Sequence, residues 1–206
     1  MTAVRVKICG ITRSIDLHAA VAAGADALGF VFTERSRRML DATMAADLVS
    51  EVPAFVSRVG LFMDQDCERV ASVLEQVPLN LLQFHGGEGA DFCRQFRLPY
   101  IKAVSMNSDE AVARAQENYP DAAALLLDSH APGGVGGTGE VFDWSMIPQS
   151  GMPLVLAGGL KPGNVRQAVE QVKPWAVDVS SGVEDAPGIK NPEKMREFIK
   201  EAKREY

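Results

Sequence analysis

Val4-Arg5-Val6-Lys7-Ile8-Cys9-Gly10-Ile11-Thr12-Arg13-Ser14-Ile15-Asp16-Leu17-His18-Ala19-Ala20-Val21-Ala22-Ala23-Gly24-Ala25-Asp26-Ala27-Leu28-Gly29-Phe30-Val31-Phe32 holds one full period of the pattern that decides the fold. The apolar run Val4–Cys9 stops at a glycine, as a buried strand does. Ile15–Ala23 then reads as a helix, with Ser14 as N-cap and Gly24 as its stop. A second apolar run, Ala27–Phe32, follows at once.

Six more runs of this kind follow: Phe55–Met63, Leu79–Phe84, Tyr100–Val104, Ala123–Asp128, Leu154–Ala157 and Ala176–Ser180. Between and after them the spacing predicts helices over Ala42–Glu51, Cys67–Gln76, Glu88–Phe96, Asp109–Asn118, Asn164–Val172 and Pro192–Lys203, introduced by residues such as Asp41, Asp66, Ser108 and Asn191. Asp143–Pro148 has room for one helical turn. Alternating strands and helices imply a parallel sheet with right-handed crossovers. Eight such units point to a single-domain (β/α)8 barrel, the TIM barrel, over residues 1–206. The 206 residues leave roughly 26 per unit, near the minimum for this fold. The alternative is an open doubly wound sheet, but no GxGxxG follows the first strand, and the glycine-rich stretches lie late in the chain.

Composition narrows the function. Formal net charge is -6, which argues against a nucleic-acid partner. No apolar run is long enough for a membrane span, and the first residues lack the apolar core of a signal peptide. The three cysteines, Cys9, Cys67 and Cys93, show no CxxC spacing. A disulfide framework or a zinc ribbon is therefore not expected, and a reducing cytoplasm is the expected location. No long apolar helix face predicts a large interface, so a monomer is expected.

In a barrel of this class the reactive groups sit at the C-terminal ends of the strands. The first strand ends Lys7-Ile8-Cys9-Gly10, the fourth Gln83-Phe84-His85-Gly86 and the sixth Leu126-Leu127-Asp128. The eighth carries Asp178 and ends Ser180-Ser181-Gly182. Residues two apart share a face, so Lys7 lies one layer below Cys9 and Gln83 one layer below His85. Asp178 on the neighbouring strand is placed to pair with Lys7, because a buried lysine needs a partner. Singly, each has a bland reading: a core cysteine, a structural histidine, a capping aspartate, a structural ion pair. Their convergence on one rim favours chemistry.

The loops after the seventh and eighth strands hold Gly158-Gly159 and Ser180-Ser181-Gly182. Such loops present backbone N–H groups and hydroxyls to an anion, and in barrels they commonly bind phosphate. A short helix starting near Gly182 is expected to add its N-terminal N–H groups. A third glycine-rich stretch, residues 132–139, follows Asp128 and is long enough for a flap over the mouth; it lacks the lysine of a nucleotide P-loop. Arg35-Ser36-Arg37-Arg38, after the second strand, is a basic turn or a clamp for a substrate carboxylate.

The ordered set Lys7-Ile8-Cys9-Gly10-Ile11-Thr12, Gly24–Phe32, Ser36-Arg37-Arg38, Leu82–Gly86, Leu126-Leu127-Asp128, Gly136–Gly139, Phe142-Asp143-Trp144, Leu156–Val165 and Val177–Glu184 closely resembles the phosphoribosylanthranilate isomerase family of tryptophan biosynthesis. It spans nearly the whole chain. The resemblance implies an Amadori rearrangement of a small phosphorylated substrate, N-(5-phosphoribosyl)anthranilate, with no cofactor and no metal. It implies Cys9 as general base, Asp128 as general acid and Arg38 as the contact for the anthranilate carboxylate. Gly158, Gly159, Ser180, Ser181 and Gly182 would hold the phosphate, with Lys7, Gln83, His85 and Asp178 completing the substrate site. The acid would need a raised pKa, and the thiol a lowered one, set by a cation such as Lys7. Glu34 and Arg37 stand where the family often has proline. Phe84 replaces a usual leucine and should face away from the mouth, and Asn191 replaces a frequent aspartate. A barrel that only binds a sugar phosphate would need neither Cys9 nor Asp128. A histidine-pathway isomerase would carry aspartate in place of Cys9.

Overall fold

A computed structural model describes residues 4–106, 108, 110–128, 143–148 and 150–204. The glycine-rich stretch at 132–139, Asp109 and the motif residues Gly136–Gly139 and Phe142 lie outside the described residues. Eight strands close a barrel in sequence order: β1 (Arg5–Cys9), β2 (Ala27–Val31), β3 (Ser57–Phe62), β4 (Leu81–Phe84), β5 (Tyr100–Ser105), β6 (Ala124–Asp128), β7 (Leu154–Leu156) and β8 (Ala176–Val179). Every neighbouring pair is parallel, and β8 closes on β1 with Lys7 opposite Asp178. The helices α1 (Ser14–Ala23), α2 (Ala42–Ser50), α3 (Cys67–Gln76), α4 (Ala90–Arg94), α5 (Ala111–Asn118), α6 (Pro162–Val172) and α7 (Pro192–Ala202) follow six of the strands in turn and then β8. After β6 the described residues contain only the 3-10 turn Trp144–Met146. The predicted barrel is what the chain forms.

Both sides of the barrel wall are buried and largely apolar, which is why its strands read as short runs of apolar residues. Outward-facing Ile8, Leu28, Phe30, Phe62, Leu82, Phe84 and Val177 pack under the helices in one large core. Inside, Ile101, Ala124, Leu126, Val155, Ala157 and Ala176 fill the barrel. Cys9, Val31 and Leu61 form a separate buried group. Phe84 does face away from the mouth, with its ring centroid 5.8 Å from Phe92 and 5.9 Å from Phe96. Such aromatic pairs add roughly 0.5–1.5 kcal/mol each beyond area burial. At the other end of the barrel, between α2 and β3, the Phe55 side chain is fully exposed.

Three details differ from or add to the expected pattern. Ser14 is the first residue of α1 and not its cap; its hydroxyl donates to Glu51 at 2.5 Å. The fourth helix starts at Ala90 instead of Glu88, because the Glu88 carboxylate is committed elsewhere. It accepts from Asp64 N at 2.8 Å and Gly86 N at 2.9 Å, and pairs with buried Lys102 at 3.2 Å. Third, the loop after β8 does not run straight into the last helix. It forms a hairpin of β9 (Glu184–Ala186) and β10 (Ile189–Lys190), turning at Pro187-Gly188.

Candidate active site

The C-terminal ends of the strands enclose a cavity of about 330 Å³. Cys9, Arg38, Gln83, His85, Asp128, Gly158, Gly159, Asp178, Ser180, Ser181 and Gly182 all line it. Lys7 lies just beneath, 4% exposed. Every site residue named from the sequence is therefore in the cavity wall or directly under it.

Cys9 ends β1 and is 5% exposed. Its room comes from Gly29 on β2, where any Cβ would meet Cys9 Sγ at 2.8 Å and Lys7 Cε at 3.1 Å. Lys7 donates to Asp178 Oδ1 at 2.9 Å, the pairing that the strand register predicts. Burial works against the Lys7 charge, but Asp178 and Cys9 outweigh it and hold the ammonium above its ordinary range. For Cys9 the predicted sign is wrong. Burial pushes its thiol up, and the Lys7 and Lys190 charges pull it down without prevailing. Desolvation of a thiolate at this buried position exceeds the help of cations that are themselves shared with carboxylates. Cys93 lies outside the cavity, buried and pushed up to about 12 by burial, as suits a packing residue. Cys67 is exposed.

Asp128 ends β6, 8% exposed. Its Oδ2 lies 3.3 Å from His85 Nε2, and His85 Nδ1 lies 3.0 Å from Gln83 Nε2. With Gln83 donating, the His85 proton sits on Nε2 and faces Asp128. A half-turn of the Gln83 carboxamide would present Oε1 instead, moving the proton to Nδ1 and leaving Nε2 to accept from a protonated Asp128. Gln83 Oε1 is buried with no hydrogen-bond partner in the present orientation. The Gln83–His85 pair can thus serve Asp128 in either protonation state.

One side of the cavity is built from two loops that meet. Gly158 and Gly159 take positive φ (78° and 65°), a backbone conformation that glycine adopts without strain. Asn164 braces that loop, accepting from Lys161 N at 2.8 Å and donating to Gly159 O at 3.0 Å. Gly182 is packed so closely against the Leu160 carbonyl that a Cβ there would overlap it. The helix expected near Gly182 is only the 3-10 turn Ser181–Val183. The positive-φ glycines and the Ser180 and Ser181 hydroxyls are therefore what the loops offer an anion.

The basic turn after β2 divides. Arg35 pairs with Asp64 at 3.1 Å, exposed to solvent. Arg37 is exposed at the rim. Arg38 turns inward and binds Glu184 through two bonds, Nε to Oε1 at 2.8 Å and Nη2 to Oε2 at 2.6 Å. The bonds to Glu184 hold the guanidinium above its usual range. Glu184 and its second partner, Lys190, are site-flanking residues that the sequence reading leaves unassigned. The signal that places them is Pro187-Gly188, a turn dipeptide between two short polar-apolar segments.

The sequence profile described as N-(5'phosphoribosyl)anthranilate (PRA) isomerase matches residues 6–201. An N-(5'-phosphoribosyl)anthranilate isomerase of Thiobacillus denitrificans is 54% identical over 203 residues, covering 98% of each chain. A solved phosphoribosyl anthranilate isomerase, in complex with reduced 1-(o-carboxyphenylamino)-1-deoxyribulose 5-phosphate, superposes with a TM-score of 0.83. It is 40% identical and covers 97% of this chain and 98% of its own. Monomers made from the dimeric Thermotoga maritima enzyme superpose with a TM-score of 0.84 at 39% identity, over 97% of this chain and 98% of theirs.

Proposed function

The chain belongs to the N-(5'-phosphoribosyl)anthranilate isomerase family, and on that premise we propose that Cys9 and Asp128 are the base and the acid of its Amadori rearrangement. The reaction converts N-(5-phosphoribosyl)anthranilate to 1-(2-carboxyphenylamino)-1-deoxyribulose 5-phosphate in tryptophan biosynthesis. One observation carries the assignment: a thiol on β1 and a carboxylate on β6 face one cavity, separated by β7 and β8 in one direction and by β2 to β5 in the other. An acid and a base that act on different atoms of one sugar need that separation.

The steps follow from the groups present. Asp128, protonated and hydrogen-bonded to His85, gives its proton to the ring oxygen. The C1′–O bond breaks, and the nitrogen lone pair forms an iminium. That cation acidifies the C2′ proton and lies beside Cys9, favouring the thiolate that burial alone disfavours. Cys9 takes the C2′ proton, the C2′–H electron pair forms the C1′=C2′ double bond, and the iminium π pair returns to nitrogen. The enolamine then tautomerises to the ketone: C1′ gains the proton held by Cys9 and the C2′ hydroxyl proton passes to Asp128, which restores both groups. Atoms and electrons balance without a co-reactant. The glycine loops and Ser180-Ser181-Gly182 hold the phosphate, and Arg38 takes the anthranilate carboxylate. Lys7 and Asp178 form the floor under the base. The net charge of -6 and the three free thiols support a cytoplasmic enzyme whose partner is this small molecule and not nucleic acid.

The test is the purified protein with freshly prepared N-(5-phosphoribosyl)anthranilate. Anthranilate-type fluorescence should decay enzymatically, and no decay would remove the reading. Arg38→Ala should raise KM about tenfold or more, the worth of a charge-assisted bond, with a smaller effect on kcat. An unchanged KM would show that another group holds the carboxylate.

A further inference from the structure

Resting on the assignment of Arg38 to the substrate carboxylate, we propose that Glu184 is a positioning residue for substrate recognition, aiming Arg38 from a buried anchor on the β9–β10 hairpin. The Glu184 side chain is 4% exposed and both of its oxygens are engaged. Oε1 accepts from Arg38 Nε at 2.8 Å, Lys190 Nζ at 2.7 Å and Gly188 N at 3.3 Å. Oε2 accepts from Arg38 Nη2 at 2.6 Å.

The side edge of the guanidinium, Nε and Nη2, is thereby fixed. Because the group is planar, the position of Nη1 is then fixed as well. The end edge, Nη1 with the second Nη2 proton, is what remains for a ligand carboxylate, and Arg38 lines the cavity. The shaft of Arg38 is held too. It crosses Gly10 so closely that a Cβ there would overlap its Cδ, and Arg38 N donates to Ser36 Oγ at 3.1 Å.

Lys190 secures the anchor. Its side chain is fully buried, so its charge cannot reach a substrate directly. It bonds to Ser180 O at 3.2 Å and to Ser180 Oγ at 3.5 Å as well as to Glu184. One carboxylate therefore links the arginine at the carboxylate end to the serine that opens the phosphate-binding loop. Arg38 and Lys190 share one carboxylate there, and burial pulls the Lys190 ammonium below its ordinary range although Glu184 opposes this. Burial works against the Glu184 charge, but Arg38 and Lys190 overcome it and hold the carboxyl below its usual range, so the anchor stays ionised. A residue present only for stability would not need to face a substrate-contacting guanidinium through both oxygens.

The test compares two inhibitors by calorimetry: the reduced product bearing the anthranilate carboxylate and its phenylamino counterpart lacking it. Wild-type protein should prefer the carboxylate compound by roughly tenfold or more. In Glu184→Gln that preference should shrink to about twofold, while affinity for the phenylamino compound and for inorganic phosphate stays within about twofold. A retained preference, or equal weakening of both compounds, would overturn the proposal and leave Glu184 a structural residue. Absence of any preference in the wild type would overturn the Arg38 assignment itself, and this proposal with it. If Glu184→Gln does not fold, Glu184→Asp serves. It keeps the charge but is one methylene too short to span Arg38 and Lys190, so the preference should again fall, and a full preference would refute the role.

Discussion

Cys9→Ser is expected to lower kcat by about three orders of magnitude, the upper range of what a positioned base contributes. Affinity for the reduced product should hardly change, because oxygen for sulfur leaves the shape of a 5% exposed site nearly intact. A serine hydroxyl next to Lys7 is a far poorer base than a thiolate. Single-turnover fluorescence and calorimetry read the two quantities separately. Near-normal kcat would refute the base assignment, and a loss of affinity matching the loss of rate would show a damaged pocket. The pH dependence has a definite sign. Burial pushes the thiol up, so the thiolate fraction in the free enzyme grows as pH rises. In the wild type the base limb of kcat/KM should still be climbing at about pH 8, because the thiol titrates above its ordinary range. A base limb that is already flat at the acidic end would mean a thiolate preformed by Lys7.

Asp128→Asn should cost kcat about two to four orders of magnitude. The substitution keeps the shape and can still bond to His85, 3.3 Å away, but it has no acid proton to give. Ring opening is then the step that slows. Retained activity at neutral pH would show that the proton reaches the ring oxygen from another donor, with His85 the first candidate.

The barrel was legible because its strands are buried on both faces, so each reads as a short apolar run ended by glycine, proline or aspartate. The pairing of Lys7 with Asp178 was legible for a related reason: closure of a parallel barrel sets β1 against β8, and alternation puts both side chains inside. Glu88 was misread as helical because its hydrogen bonds to Asp64 and Gly86 and its ion pair with Lys102 are tertiary facts that propensity does not contain. Glu184 escaped for the same reason, since its partner Arg38 is 146 residues away in sequence. Cys9 lies on the cavity wall as expected, while burial sets the direction of its pKa against the expected one. A lysine two residues before it argued for a lowered pKa, but Lys7 is already paired with Asp178, and the desolvation of the site decides the sign.

The proposed division of labour puts ring opening at Asp128 and C2′ proton removal at Cys9. It is tested most directly by the kinetic isotope effect on kcat with substrate deuterated at C2′, measured in Cys9→Ser and in Asp128→Asn. If Cys9 removes that proton, its loss makes proton removal rate-limiting, and Cys9→Ser should show a full primary isotope effect. In Asp128→Asn ring opening limits instead, and the effect should fall toward unity. The reverse pattern, or equal effects in both variants, would contradict the assignment.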